Sequence, residues 1–301
     1  MKRGIRFLAV LILTVVCGLL CEETVCYAGA GHPTGSGGWG GFYRVGDIVT
    51  FGRYEQDNDP SNGKEPIEWR VLEVDDASGR VLLLSLYGLD VQPYEAGHQG
   101  TRLVTWESCS LRKWLNGTFL NDAFTWDEQS GILTSYHGDN DASSSVYFRT
   151  GPEGDRQAED RVFLLSYHDA DSLYFYETRD NGSFSFLVTS DKERRCGVTE
   201  YAAAKGAFVS REHDVNGRPT CRWWLRTPRT LNGRTYNAYI VRTGGDIDID
   251  GPGAGYMAVR PAVWVEKSAL GRARSDAGET MAAVFDRTNS PISNMQAAGS
   301  R

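Results

Sequence analysis

Residues 221–228 read CRWWLRTP, and residues 258–265 read AVRPAVWV. Short runs of tryptophan, β-branched residues and arginine are typical of strands, in which successive side chains point to opposite faces of a sheet. The alternation places Trp223 on a core face and Trp224 on a face that it shares with arginine. If both segments lie in one sheet, they form a structural frame of five residues, Trp223, Trp224, Arg226, Arg260 and Trp264.

Two interpretations of the arginine–tryptophan face are open. An arginine above a tryptophan ring contributes about 0.5–2 kcal/mol, so an interleaved row of the two can lock the ends of neighbouring strands. The same flat aromatic surface could instead be presented to a sugar or a peptide. We favour the structural interpretation, in which the two segments hold the chain that runs between them.

The chain before these segments predicts a β-rich fold with some helix. Three strand-like runs follow one another from Tyr43, and the separators DNDPSNGKE and DDASGR consist of turn-forming residues, which favours an antiparallel meander. A helical periodicity then covers residues 106–124, with Thr105 as a candidate cap. We therefore predict the α+β class, with mixed or antiparallel sheets and two or three helices.

Residues 1–30 predict a signal peptide. A basic start precedes an apolar run from Phe7 to Leu20, and the small-residue stretch AGA follows at 28–30. These are the three parts of an export signal. The protein is therefore expected to be secreted, with a retained membrane anchor as the alternative.

Three regions are predicted after the signal. Residues 31–42 form a Gly-rich spacer, residues 43–266 form one globular domain, and the polar residues 267–301 form a disordered tail. The formal net charge of -7 argues against nucleic acid as a partner. Because no second long apolar run follows the signal, we expect no membrane contact after its removal.

The cysteines of the mature chain are odd in number. Only Cys109, Cys196 and Cys221 lie beyond the predicted signal, so at most one internal disulfide can form. Cys196 and Cys221 are the candidates, because both flank the same loop-rich region, and three buried free thiols are the alternative. No C-x-x-C pair occurs in the sequence, so zinc binding and thioredoxin-type redox chemistry are unsupported.

Acidic segments raise the question of calcium. GDIDIDGPG (245–253) starts like an EF-hand loop, but Met257 stands where the twelfth position requires a bidentate glutamate. Its strict alternation of Asp and Ile predicts a strand instead. The loops DNDPSNG (57–63) and GDNDASS (138–144) are compatible with weak calcium binding, although turn formation explains them equally well. We expect no cofactor and no dedicated metal site.

Seven segments, in order along the chain, resemble an uncharacterised bacterial family known as domain of unknown function 6273. They are GDIVTFGRY, PIEWRVLEV, LLLSLYGLD, TWESCSLRKWLNGTF, DRVFLLSY, WWLRTP and VRPAVWV. The resemblance covers roughly residues 43–266. It implies an exported or cell-surface module without an established activity.

The WWLRTP segment and the closing VRP strand are also distantly similar to C-type-lectin-like domains, which include the formylglycine-generating-enzyme-like domains. This resemblance implies a C-type-lectin-like fold whose ligand surface lies between the two strands, here at 229–256. The calcium-dependent sugar motifs of animal lectins are absent from this segment. The predicted ligand contacts are Asn232, Tyr236, Asn237, Tyr239, Asp248 and Asp250.

The sequence assigns no catalytic residue. We expect a non-catalytic module that binds an extracellular ligand, either a glycan, a peptide or another host-surface molecule. The alternative is a formylglycine-generating-type oxidase, or a hydrolase, on the same scaffold, and the oxidase would need a reactive cysteine. A purely structural surface domain is the third hypothesis.

Overall fold

A computed structural model describes residues 42–100, 102–137, 158–173, 191–231 and 234–271, and the backbone of two further strands at 176–178 and 184–189. The predicted signal peptide, nearly all of the predicted spacer and the tail beyond residue 271 lie outside the described residues. No helix that the structure describes is long and apolar enough to cross a membrane.

The strands of the described chain are short and numerous. In chain order they are β1 (Ile48–Tyr54), β2 (Glu65–Asp75), β3 (Arg80–Ser85), β4 (Tyr87–Gly88), β5 (Asp90–Val91), β6 (Ile132–Leu133), β7 (Ser135–His137), β8 (Ala158–Asp160), β9 (Tyr176–Thr178), β10 (Phe184–Thr189), β11 (Gly197–Val198), β12 (Val209–Val215), β13 (Arg218–Cys221), β14 (Trp223–Leu231), β15 (Arg234–Val241), β16 (Ile247–Asp250), β17 (Ala258–Val259) and β18 (Ala262–Glu266).

The helices are shorter still. They are α1 (Ser110–Trp114), α2 (Leu120–Ala123), α3 (Trp126–Ser130), α4 (Asp191–Arg194) and α5 (Glu200–Ala204), with π-helical segments at Leu115–Phe119 and Asp169–Leu173. Together with the strands they confirm a β-rich α+β protein.

Three sheets organise the domain. The first has the order β1-β2-β3-β18-β6 and is antiparallel throughout. The second has the order β16-β15-β14-β17-β5, and the third has the order β12-β13-β11-β4, each with one parallel pair. The predicted meander of three strands is confirmed as β1, β2 and β3.

The segment AVRPAVWV is not one strand, because the chain changes sheets at Pro261. β17 runs parallel to β14 in the second sheet, whereas β18 pairs with β3 and β6 in the first. Proline has no N–H to donate to a ladder, so it favours a break of this kind. Its carbonyl accepts from the Ser85 amide at 2.9 Å. The expectation of a single sheet for the frame residues is therefore wrong.

The interleaved row of arginine and tryptophan does not form. Both tryptophans of CRWWLRTP are fully buried, which agrees with the structural interpretation and leaves no aromatic surface at this point for a sugar or a peptide. The Trp224 indole donates to the Gln92 carbonyl at 2.9 Å and meets the Tyr94 ring edge-on, with centroids 5.7 Å apart. Arg260 lies over Trp223 instead, with 5.0 Å from its guanidinium carbon to the ring centroid. The five frame residues thus belong to the core, where they contact different partners.

The predicted helix over 106–124 starts later than expected. Its first turn begins at Ser110, where the Cys109 sulfur, not the Thr105 hydroxyl, caps the helix by accepting from the Arg112 amide. α1 then continues through the π-helical segment into α2 without a break. Its end approaches β1 so closely that a Cβ at Gly52 would lie 2.6 Å from the Phe124 ring. Gly52 has a φ of +70°, at the bulge that bends β1 around this helix.

The domain does not end at residue 266. Residues 267–271 form a helical turn, in which Ala269 and Leu270 are buried. Ala269 sits against Gly131, where an added Cβ would be 2.3 Å from the Ala269 Cβ. Residues 267–271, predicted to belong to the disordered tail, are therefore structured with the domain, because two apolar side chains of this turn pack into the core.

Candidate functional site

The predicted ligand contacts do not converge on one face. In the β15–β16 pair, Ile240 lies opposite Asp248 and Ala238 lies opposite Asp250. Directly opposed residues share a face, so Asp248 and Asp250 lie on the face of the buried Ile240 and Ala238. Tyr236 is exposed and sits at the register shift between β14 and β15, so alternation does not assign it to that face. Asn237 and Tyr239 alternate onto the other face, where the Tyr239 ring is 4.7 Å from that of Tyr167. Asn232 lies outside the described residues.

Both aspartates already have partners. Asp248 forms an ion pair with Arg242. Asp250 accepts from the Tyr256 hydroxyl at 3.1 Å and lies 3.7 Å from Arg222. The strand predicted for GDIDIDGPG is confirmed as β16, which explains the alternation that resembles an EF-hand start.

A carboxylate cluster lies beside the DNDPSNG loop. Oxygens of Glu55, Asp57 and Glu65 lie within 4.8 Å of one another. However, Glu65 accepts from the Gln56 amide at 2.7 Å, and Asp57 accepts from the Asn62 amide group at 2.7 Å. These bonds hold the turn together, whereas the Glu55 Oε1 is buried and has no hydrogen-bond partner among the described residues. The second loop, GDNDASS, lies outside the described residues.

The two cysteines predicted to pair lie side by side. The Cys221 amide donates to the Cys196 carbonyl at 2.9 Å, and both side chains are buried as free thiols, so the disulfide itself is not formed in the structure. A Cβ at Gly88 would lie 3.0 Å from the Cys221 sulfur and 3.9 Å from the Cys196 sulfur. The glycine therefore leaves room for the thiol pair.

The thiols differ in acidity. Burial opposes ionisation of Cys196, but the hydrogen bond with Cys221 and the charge of Arg260 lower its pKa overall. The same hydrogen bond, together with burial, raises the pKa of Cys221. Cys109 has no such pairing, and burial raises its pKa to about 12. Among the described cysteines, Cys196 is therefore the thiol whose pKa is lowered.

A cavity of about 250 Å³ opens where the three sheets meet. Arg70 reaches it from β2, Leu86 from the end of β3, and Arg260 from the point where the chain changes sheets. Arg260 forms the floor, because its side chain is buried and its Nε donates to the Ser85 carbonyl at 2.9 Å. We call this space the basic cavity.

The rest of the basic cavity comes from two short elements. α4 and the residue after it contribute Lys192, Glu193 and Arg195. The tip of the β12–β13 hairpin contributes the stretch Asp214, Val215 and Asn216. The hairpin turns at Asn216 and Gly217, whose φ angles of 54° and 77° are those of a type I′ turn.

The basic cavity carries more positive than negative charge. Arg70, Lys192, Arg195 and Arg260 face two carboxylates, those of Glu193 and Asp214. Arg70 and Glu193 form an ion pair at 3.5 Å. The Nε of Arg70 is buried and has no hydrogen-bond partner among the described residues. Burial also lowers the pKa of Arg260, because an enclosed charge is poorly solvated. The site is therefore arranged to accept negative charge.

Of the residues that line this cavity, only Arg260 is among those singled out from the sequence. One signal was available in the Asn-Gly pair of DVNGRP, which predicts a tight hairpin. The charged run DKERR was a second. No short sequence pattern indicates that α4, the β12–β13 hairpin and β2 meet, because these elements lie apart along the chain.

Comparison with known proteins identifies a family but no characterised relative. No curated protein and no solved structure matches the chain. The family described as "Domain of unknown function (DUF6273)" matches residues 78–267. That range starts just before β3 and ends just after β18, so β1 and β2 lie outside the match although they complete the first sheet. The chain belongs to the DUF6273 family.

Proposed function

We propose that this protein is a secreted, non-catalytic module that binds an anionic extracellular ligand in the basic cavity. The observation that carries the proposal is the excess of four cationic over two anionic side chains around one cavity. That excess stands out on a chain whose net charge is -7. A concave site lined by one sign of charge concentrates ligands of the opposite sign.

The position of the cavity supports binding. Its floor is rigid, because Arg260 is fixed by the Ser85 carbonyl and the Trp223 ring. Its rim is exposed, because Lys192, Asp214 and Asn216 all reach solvent. A fixed arginine below and mobile side chains above give a ligand a preorganised anchor and an open entrance.

We further propose that the fold is C-type-lectin-like, as the WWLRTP and VRP segments imply. In support, β14 and β17 lie side by side, and β15 and β16 extend the same sheet from β14. In this proposal Asp248 and Asp250 on the edge strand β16 serve as a secondary contact surface. The basic cavity remains the primary site, because it has both depth and unbalanced charge.

The proposal is tested by arrays that carry neutral and acidic glycans together with neutral and acidic peptides, probed with and without calcium. The full chain should bind acidic members, and added salt should weaken the binding because exposed charges are screened. Lys192→Glu reverses a charge at the exposed rim and should abolish the signal. Lys113→Glu makes the same change at an exposed residue of α1 and should leave it intact.

Binding to neutral members alone, or equal binding by both variants, would contradict the proposal. A requirement for calcium would place the ligand elsewhere, since the cavity lacks the set of oxygen ligands that calcium needs. Identification of the first residue of the exported chain tests the predicted cleavage after residue 30.

A formylglycine-generating-type oxidase is the second candidate, and one observation favours it. Cys196 and Cys221 lie together near Arg260, which lowers the pKa of Cys196. Against it, neither thiol has access to solvent. Thiol labelling of the folded chain decides between them: rapid alkylation of Cys196 would favour the oxidase. If both thiols react only after unfolding, the binding module is the supported function. A non-reducing peptide map would show whether the predicted disulfide forms.

A further inference from the structure

The basic cavity is larger than a simple inorganic anion, and its lining combines cationic, anionic and apolar side chains. A volume of about 250 Å³ leaves room for a ring-sized organic molecule around any single oxyanion. Its lining includes Glu193, Asp214 and Asn216, which offer oxygen acceptors. Carboxylates repel a bare anion, so their presence indicates a ligand that also carries hydrogen-bond donors.

The donors and acceptors of the cavity are spatially linked. Arg70 lies 3.5 Å from Glu193, and its buried Nε lacks a partner among the described residues. The Arg70 side chain is 34% exposed, so a ligand carboxylate could pair with its accessible part, and a neighbouring hydroxyl could donate to Glu193. Such pairing of an arginine with a carboxylate adds direction as well as charge attraction.

Two apolar side chains complete the lining. Leu86 and Val215 face the same cavity as the charged groups. A ligand that fills the cavity must therefore present a nonpolar face as well as an anionic group and donors. Sugar rings combine C–H faces with hydroxyl groups, and a sugar acid adds the carboxylate.

We propose that the ligand of the basic cavity is an acidic sugar unit, with its carboxylate held by Arg70 and Arg260 and its hydroxyls donating to Glu193 and Asp214. This inference rests on the proposed function and specifies its ligand. An acidic amino acid offers carboxylates and an ammonium group, but it lacks a ring whose nonpolar face would contact Leu86 and Val215. Hydrogen phosphate matches the charge and carries hydroxyl donors, but it has no nonpolar face.

The experiment is calorimetric titration of the full chain with glucuronate, glucose, acetate, inorganic phosphate and glutamate. Glucuronate should bind at least about tenfold more tightly than each of the others. Acetate tests the carboxylate alone, glucose the hydroxyls alone, phosphate the charge alone, and glutamate the amino-acid alternative.

Two variants separate the roles of charge and hydroxyl recognition. Lys192→Glu should weaken glucuronate and acetate alike by about tenfold. Asp214→Asn removes a carboxylate at the exposed hairpin and should weaken glucuronate by about tenfold while acetate binds no more weakly. Lys113→Glu should change neither.

The outcomes also distinguish the acidic-sugar inference from the proposed anion-binding function on which it rests. If acetate, phosphate or glutamate binds as tightly as glucuronate, the acidic-sugar inference is overturned and the anion-binding function stands. The inference also fails if Asp214→Asn strengthens glucuronate binding as much as acetate binding. If no anion binds, both the inference and the proposed function fail.

Discussion

Arg226 and the arginines of the basic cavity occupy opposite electrostatic situations. Arg226 is buried, and its Nη1 donates to the Asp169 carboxylate at 2.8 Å and to the Leu164 carbonyl at 2.9 Å. Around the basic cavity, four cationic groups share two carboxylates. The comparison shows that arginine content alone does not mark a site, whereas an unbalanced set of charges around an open space does.

The largest expected loss of stability follows from replacing the buried Arg226. Arg226→Met leaves Asp169 as an uncompensated buried charge, which should lower the free energy of unfolding by about 3–5 kcal/mol. Urea unfolding followed by tryptophan fluorescence measures the loss. Adding Asp169→Asn removes the stranded charge and should recover part of it. A loss below about 1 kcal/mol for the single variant would contradict a structural role for the pair.

Arg260 is buried like Arg226 and also lines the basic cavity. Its replacement should therefore lower the free energy of unfolding less than Arg226→Met does, and it should also affect ligand binding. Arg260→Gln loses the stacking on Trp223 and weakens the bond to Ser85, at a cost of about 2 kcal/mol in the free energy of unfolding. It should also remove ligand binding at temperatures where the variant is folded. If folded Arg260→Gln bound the anionic ligand normally, Arg260 would be a structural residue only.

The buried His137 should make the stability of the fold depend on pH. Burial, with the nearby charges of Arg226 and Arg112, lowers the pKa of His137 well below its ordinary value. The folded chain therefore keeps His137 neutral, while the unfolded chain takes up a proton below about pH 6.5. Stability should be complete above that pH and should fall below it by up to about 1.4 kcal/mol per pH unit.

Urea unfolding at several pH values measures this slope. His137→Gln keeps a polar side chain near the Ser135 hydroxyl, which lies 2.7 Å from the His137 ring nitrogen, and removes the titration. The variant should show a shallower slope than the natural chain between about pH 7 and 5. Equal slopes would mean that His137 is protonated in the folded state.

The smallest effect on stability is expected at the rim of the basic cavity. Lys192 is exposed, so Lys192→Glu should change the free energy of unfolding by less than about 0.5 kcal/mol. The same substitution should weaken ligand binding by about tenfold, which is the reverse of the pattern at Arg226. If Lys192→Glu destabilised the fold as strongly as Arg226→Met, the distinction between the two regions would fail.

Local patterns in the sequence predict the elements better than their assembly. The meander of β1 to β3, the helical spacing of Leu111, Leu115 and Phe119, and the strand at β16 all follow from periodicity. The stretch around Phe163 is apolar and buried, yet it forms an isolated bridge to Ala262 and not a strand. It lies between sheets, because the Arg226 amide also donates to the Leu165 carbonyl.

The candidate site could not be read from the sequence in the same way. Alternation assigns faces within one strand, but it does not show that Pro261 divides the strands between sheets. That division brings Arg260 to the junction where β2, α4 and the β12–β13 hairpin meet. The unbalanced charge exists only after these distant segments pack together, so neither composition nor spacing reveals it.

The most direct test of the central claim is a crystal structure of the full chain with the anionic ligand that binds most tightly in the titrations. We predict the anionic group within hydrogen-bonding distance of Arg70 and Arg260, with Lys192 above it. A ligand bound instead along β16 beside Asp248 and Asp250 would contradict this account of the basic cavity.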